Sequence, residues 1–253
     1  MHLLLGYAPN STYIVEMNYR YKYFTGITYP ELESNTAENG WRVYETPLGS
    51  APSVTTILSC LPHPGLDEWR ERVGEEEANR VSKEATDIGS AMHDMLESFV
   101  RGEPIIPPTT PEGEMADDMF RVVKTIGLLQ LQEVWGIEVA LHCYDLYAGR
   151  TDLIGKYDGK LSIIDYKTSK RYKKDEWLED YKYQLSAYAI AHDIMFPNYE
   201  IEQAVILIGT RPNPEYRVLP NIQKCVIDKE ELSEYKVKWM DIVQDFYAGK
   251  YQR

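Results

Sequence analysis

The chain has 253 residues, 43% of them apolar and 26% charged, which suits a soluble globular protein: one large domain, or a core with an appended helical layer. Its 27 Lys and Arg against 40 Asp and Glu leave a net charge of −13. That balance argues against passive duplex binding, because a phosphate backbone is attracted by lysine and arginine. No apolar run approaches the ~20 residues of a membrane span. The opening Met1-His2-Leu3-Leu4-Leu5 run is too short for a signal-peptide core, so a cytoplasmic location is expected, in the host if the chain is viral. Cys60, Cys143 and Cys225 lie far apart, and an odd trio argues against a disulfide framework and a four-thiolate zinc site. A four-cysteine iron–sulfur cluster is excluded within one chain.

Residues 1–60 read as β-rich and irregular, with short strands at Tyr19–Phe24 and Trp41–Thr46 and a turn at Asn35–Gly40 between them. Pro52–Leu58 is a compact apolar entry into a helical block over 66–134. Its first part, Leu66–Arg101, has Gly74 and Asp87–Gly89 as breaks, and Ile88, Met92, Met95, Leu96 and Phe99 form one buried stripe. The proline-rich Gly102–Pro111 is a loop, and a second helix is expected over Glu112–Val134. The apolar period then changes from helical to alternating. Ile137–Tyr147, Arg150–Tyr157 and Lys160–Lys167 read as three consecutive antiparallel strands, with hairpin turns at Gly149 and Asp158-Gly159. A helix over Asp175–Met195, a buried strand over Gln203–Gly209 and a last helix over Lys229–Tyr247 complete an α/β core over 136–247.

The chemistry gathers in the hairpin. Asp152 opens one strand, and Asp165-Tyr166-Lys167 closes the next, so a turn at Asp158-Gly159 returns both aspartates to the same end of the sheet. Asp165 and Lys167 are two apart and leave the same face. Two close carboxylates repel each other unless a cation relieves them, and oxygen ligands of this kind suit magnesium or manganese. The neighbouring ammonium can then orient an attacking water and offset phosphate charge. An Asp-x-Lys triplet alone is most often a surface salt bridge, so its company matters. His93 lies on the preceding helix after Gly89, with Glu97 one turn on, and can join the aspartates as a ligand. Gln184 and Tyr188 share one face of the helix after the sheet. His63 between two prolines reads as a loop residue, and His142 on a strand and His192 on a helix read as structural.

The order Gly-x-x-x-His, Gly-x-x-Asp, Asp-x-Lys-Thr, Gln-x-x-x-Tyr resembles the RecB-like nucleases of the PD-(D/E)XK superfamily. Within that group it is most similar to the branch of mitochondrial genome maintenance exonucleases and their bacteriophage relatives. The residues that carry the likeness are Pro52 to Leu58, Trp69-Arg70, Gly89 to Glu97, Gly149 to Asp152 and Lys160 to Ser169, within a span of about residues 43 to 247. The resemblance implies a restriction-endonuclease-like core, a mixed central sheet flanked by helices, with an N-terminal β/helical extension, all within one nuclease domain over 1–253. It implies metal ligation by His93, Asp152, Asp165 and the Tyr166 carbonyl, one or two Mg2+ or Mn2+ ions, and Lys167 as the catalytic lysine. Gln184 and Tyr188 would brace that lysine or touch the nucleic-acid backbone. Glu138 falls where related enzymes often place another acid, and Glu97 is either a supporting residue or a helix-surface acid. Asp165 stands where many relatives carry glutamate, a substitution the exonuclease branch shares.

The acidic balance has a local exception. Lys170-Arg171-Tyr172-Lys173-Lys174 puts four cations in five residues just beyond Lys167. Arg150, Arg80, Lys83 and Lys182 are expected to extend this basic path, and Tyr172, Trp177 and Tyr181 offer faces for base stacking. The expected partner is DNA, single-stranded at its ends, with hydrolysis by an exonuclease. An endonuclease or duplex-resecting enzyme on the same core, or a non-catalytic nucleic-acid-binding protein, is the alternative.

Overall fold

The computed structural model describes residues 21–251 apart from 214 and 216. The Met1–Leu5 run, and Tyr19 and Arg20 of the first predicted strand, lie outside the described residues. In chain order the elements are β1 (Lys22–Tyr23), β2 (Ser34–Thr36), β3 (Arg42–Thr46), β4 (Gly49–Pro52), α1 (Val54–Ser59), α2 (Pro64–Val73), α3 (Glu75–Arg101) and α4 (Pro111–Thr125). There follow β5 (Leu131–Cys143), β6 (Tyr147–Tyr157), β7 (Lys160–Ser169), α5 (Glu179–Met195), β8 (Gln203–Thr210), β9 (Asn221–Ile227) and α6 (Lys229–Tyr247). The fold is mixed α/β. A six-stranded sheet runs β1-β5-β6-β7-β8-β9, parallel at β1/β5 and β7/β8 and antiparallel elsewhere. A second sheet, β2-β3-β4, forms the N-terminal extension.

Strand periodicity sends alternate side chains into two cores. Ile164, Val205 and Leu207 pack under α3 and α4, against Ile88, Met92, Leu96, Met119 and Val123. Ile163, Ile206 and Ile208 face the opposite way, against Leu185 of α5, Trp239 of α6 and Ile57 of α1. Buried on both sides, β8 reads as a continuous apolar run, and all eight of its residues are buried. Side chains cap the flanking helices: Ser53 Oγ accepts from the Thr56 amide at the start of α1, and Asp228 accepts from the Glu230 and Glu231 amides at the start of α6. Among the described residues no helix is long and apolar enough to cross a membrane.

Several expectations need correction. Lys22–Tyr23 pairs with β5 in parallel rather than with Trp41–Thr46, and the turn after Thr36 joins β2 to β3. Gly74 does break the helical block, but Asp87–Gly89 does not, and α3 runs through it unbroken. The helix expected to reach Val134 stops at Thr125, where a 3-10 turn over Gly127–Gln130 leads into β5. The first hairpin turns at Tyr144-Asp145-Leu146, with Tyr144 at φ +52°, whereas Gly149 sits within β6. Strand β9 is an addition to the elements that periodicity predicts.

Candidate active site

The sheet sets three carboxylates in a row. Glu138 of β5 falls between the pairs Ile137–Leu153 and Val139–Thr151, which puts it across from Asp152 on β6. Asp152 in turn stands one step beyond the last β6–β7 pair, Leu153–Ile164, across from Asp165. The Asp152 side chain continues the ladder where backbone pairing stops, since its Oδ2 accepts the Tyr166 amide at 2.6 Å. Glu138 adopts φ +53°, a left-handed conformation uncommon for a residue with a side chain. Arg150 binds its carbonyl at 2.6 Å.

Helix α3 supplies the fourth group. His93 Nε2 donates to the Tyr166 carbonyl at 2.8 Å, while Nδ1 lies 3.4 Å from Asp152 Oδ1. Both ring nitrogens therefore face oxygens that only accept. Burial opposes charge on this ring, but Asp152, aided by Asp165, more than offsets it and lifts the imidazolium to about 9. Asp152 resists its own burial because His93, Lys167 and the Tyr166 amide hold it below the ordinary carboxylate range. Burial pushes the Glu138 carboxyl up to about 7, with Asp152 and Glu97 adding to the effect. Glu97, whose carboxylate also receives Arg101, thus acts on the site electrostatically from the cleft wall.

Donor atoms of His93, Glu138 and Asp152 all lie within 4.8 Å of one another, and this mixed nitrogen and oxygen set fits a divalent cation. The trio opens into a cleft of about 470 Å³ whose walls include Arg42, Ser90, Asp94, Glu97 and Arg150. The third carboxylate of the row, Asp165, lies outside this trio. Asp165 is 2% exposed and forms an ion pair with Lys167. Burial, with Asp152 adding, pushes its carboxyl up to about 6. Lys167 stays above its ordinary value despite burial, because Asp165 and Asp152 favour its charge. Its Nζ lies 5.1 Å above the centre of the Tyr181 ring. Tyr181, expected from the sequence to offer a stacking face, is thus the floor beneath the lysine.

Gln184 Nε2 donates to the Tyr188 hydroxyl at 3.2 Å, and the Tyr188 ring packs on Gly149. A Cβ on Gly149 would stand 2.6 Å from that ring, so glycine here admits α5 close to β6. Through these contacts Gln184 and Tyr188 support each other and the strand that carries Asp152.

Beyond Lys167 the basic loop takes shape. Gln223 of β9 clamps the Lys173 backbone, accepting its amide at 2.7 Å and donating to its carbonyl at 2.8 Å. The Tyr172 hydroxyl donates to the Ile222 carbonyl at 3.1 Å. Arg171 and Lys174 sit 5.9 and 5.3 Å from the centre of the exposed Trp177 ring. Lys170 is exposed. Three other cations do not extend the path as expected. Arg80 is paired with Glu77 and Glu84 and Lys83 with Asp87, while Lys182 is buried between Asp175 and Glu231. Helical i,i+3 and i,i+4 pairing on an acid-rich helix accounts for the first two. His192 is fully buried with its Nε2 3.1 Å from the Tyr29 hydroxyl, in keeping with a structural residue.

The chain is similar in sequence to known exonucleases. The chain is 26% identical over 217 residues to mitochondrial genome maintenance exonuclease 1 of Mus musculus, covering 78% of this chain and 59% of that protein. It is 25% identical over 215 residues to the Homo sapiens protein of the same name, covering 79% and 59%. It therefore spans less than two thirds of the length of these relatives. A crystal structure of a phage related exonuclease from Haemophilus somnus 129PT aligns over 62% of this chain and 79% of that one, at 17% identity and a TM-score of 0.33. Residues 130–234, which hold Glu138, Asp152, Asp165 and Lys167, match the model of the PD-(D/E)XK nuclease superfamily.

Proposed function

We propose that the protein is a metal-dependent deoxyribonuclease that removes nucleotides from the ends of single-stranded DNA, with Mg2+ or Mn2+ as its cofactor. The observation that carries this reading is the row Glu138, Asp152, Asp165 with His93 on one side and Lys167 on the other. His93, Glu138 and Asp152 would hold the cation, whose charge would offset the burial and the neighbouring carboxylates that lift Glu138. A divalent ion supplies charge that polarises a phosphate oxygen and makes a water more acidic. Asp165 holds Lys167 in place, and Tyr181 limits where its ammonium can swing. From there Lys167 can donate to a phosphate oxygen or orient the attacking water. Its persistent charge suits the first role and the orienting form of the second, rather than that of a base. The exonuclease names of the similar proteins support action at ends, and the basic loop after Lys167 supports a nucleic-acid substrate.

The test is end-labelled single-stranded and duplex DNA, each incubated with Mg2+ or Mn2+, beside a Lys167→Ala variant and a circular single strand. Metal-dependent release of short products from the linear strand, lost in the variant and absent on the circle, is expected. Cutting of the circle excludes a strict exonuclease, and equal activity of Lys167→Ala removes the lysine from the mechanism.

A further inference from the structure

A second cleft, of about 560 Å³, begins where the catalytic strand ends. Thr168 and Ser169, the residues directly after Lys167, form part of its lining. Its charge is opposite to that of the cleft beside His93. Among the described residues Lys170, Arg171, Lys173 and Arg211 line it and no carboxylate does, in a chain of net charge −13. Its aromatic walls are Trp69, Tyr172 and Trp177, the last 45% exposed.

Two observations show that this cleft is built for an anionic ligand. The first is Arg211, just past β8. It is only 9% exposed, its NH1 group donates to Glu84 at 2.6 Å, and its amide is fixed on the Ser169 carbonyl at 2.9 Å. Its Nε–H, buried at the cleft, has no hydrogen-bond partner among the described residues. A buried donor left unmade is costly, and a charged donor more so, unless a ligand completes it. The second is α2. None of its residues is fully buried, so the helix adds nothing to either core. Its apolar pair Leu66 and Trp69, one turn apart, instead lines the basic cleft. An apolar face turned onto cations suits a ligand with both flat rings and negative charge.

We infer that this second cleft is a nucleotide-binding subsite, in which Arg211 Nε and Lys170 hold a phosphate of a single strand and Trp69 and Trp177 stack its bases. The inference rests on the nuclease reading and adds to it the residues that grip the strand away from the reacting phosphate. Bases must be unpaired to stack on an indole, so the subsite favours a single strand over a duplex. The phosphate gripped by Arg211 belongs either to the strand terminus or to an internal diester, and both have the same chemistry at Nε.

The test measures binding of fluorescent oligodeoxythymidylate in chelator, so that no cleavage is required. Three forms of the strand are used: 5′-phosphorylated, 3′-phosphorylated and without a terminal phosphate. Arg211→Gln is expected to weaken binding by about tenfold, the loss of one charged hydrogen bond. Trp69→Ala and Trp177→Ala are expected to do the same through lost stacking. Lys224→Gln, an exposed cation on the sheet edge, leaves the affinity unchanged. A loss confined to one phosphorylated strand assigns Arg211 to a terminal phosphate, and an equal loss on all three assigns it to an internal diester. Thermal unfolding checks each variant, and if Arg211→Gln does not fold, the tryptophan variants decide. Affinities within twofold of the parent in all the folded variants overturn the subsite. Digestion of the same strand by the parent protein with Mn2+ is scored separately, so a failed nuclease and a failed subsite give different results.

Discussion

Gly149 of β6 and Tyr188 of α5 meet so closely that a methyl group on the glycine would stand 2.6 Å from a ring carbon and 3.1 Å from the hydroxyl. Tyr188 is 2% exposed and its hydroxyl is held by Gln184, so the ring has nowhere to retreat. Gly149→Ala is expected to cost about 1–3 kcal/mol, the range for overpacking a filled interior. Activity should fall with it, since the strand that shifts carries Asp152. Urea unfolding measures the first and nucleotide release the second. Pairing Gly149→Ala with Tyr188→Leu should recover part of the stability; no recovery would assign the loss to some other contact.

Cation binding should release a proton. With its imidazolium lifted to about 9, His93 is protonated at pH 7.5 in the metal-free protein, and a ligand nitrogen must be neutral. Affinity for Mn2+ therefore rises with pH up to about 9, and activity at limiting Mn2+ rises with it. Calorimetry at pH 7.5 in two buffers of different ionisation enthalpy should count about one proton released per ion. In His93→Gln the release should fall to the smaller part that Glu138 gives up. The same raised value has a consequence for folding: without metal, His93 stabilises the native state below its ordinary value, and this contribution is lost as pH rises towards 9. Equal proton release by the parent and His93→Gln would rule this residue out as the source.

Lys167 rests over the face of Tyr181, not its hydroxyl. Tyr181→Phe should therefore keep nearly full activity, whereas Tyr181→Ala should lose about tenfold, or ~1–2 kcal/mol, for a cation–ring contact away from bulk water. Steady-state rates with single-stranded DNA distinguish the two. If phenylalanine fails as badly as alanine, the hydroxyl matters and the ring-face account is wrong.

Asp193, far from the cleft, should make the fold acid-sensitive. Its carboxylate accepts the Ile201 amide at 2.8 Å and pairs with Lys236 at 2.6 Å. Burial works against its charge, but His192, Lys236 and that amide together hold it below the ordinary carboxylate value. A depressed acid stabilises the fold above its unfolded value near 4, and that contribution disappears as pH falls through the lower native value. Denaturation curves at pH 7, 4 and 3 should show the loss, with Asp193→Asn less stable at pH 7 by about 1–2 kcal/mol and less dependent on acid. An unchanged acid dependence in Asp193→Asn would point to other carboxylates.

Much of the fold is legible because single elements announce themselves. Lys229–Tyr247 has an Asp228 cap and a helical apolar period, and its bounds agree with the structure. The hairpin that brings Asp152 across from Asp165 follows from one Asp-Gly turn and strict alternation. Other features depend on pairing that no local signal encodes. Leu128, Leu131 and Val134 keep a helix-like spacing although they lie in a 3-10 turn and a strand, which is why periodicity overextends the second helix. β9 mixes Gln223 and Lys224 with apolar residues, as an exposed edge strand does, and gives no clean period. Glu138 reaches the site only through the β5–β6 register, which two irregularities shift along β5. Arg211 is distant in sequence from the loop it joins and carries no motif.

The clamp from Gln223 onto Lys173 ties the basic loop to the sheet's outermost strand. Because strand side chains alternate in direction, a slip of β9 by a single residue would point Gln223 away and leave Lys173 unanchored. Damage at that margin would leave His93, Asp152 and Lys167 untouched and still let the basic loop drift. Lesions there should masquerade as weak affinity rather than as broken chemistry.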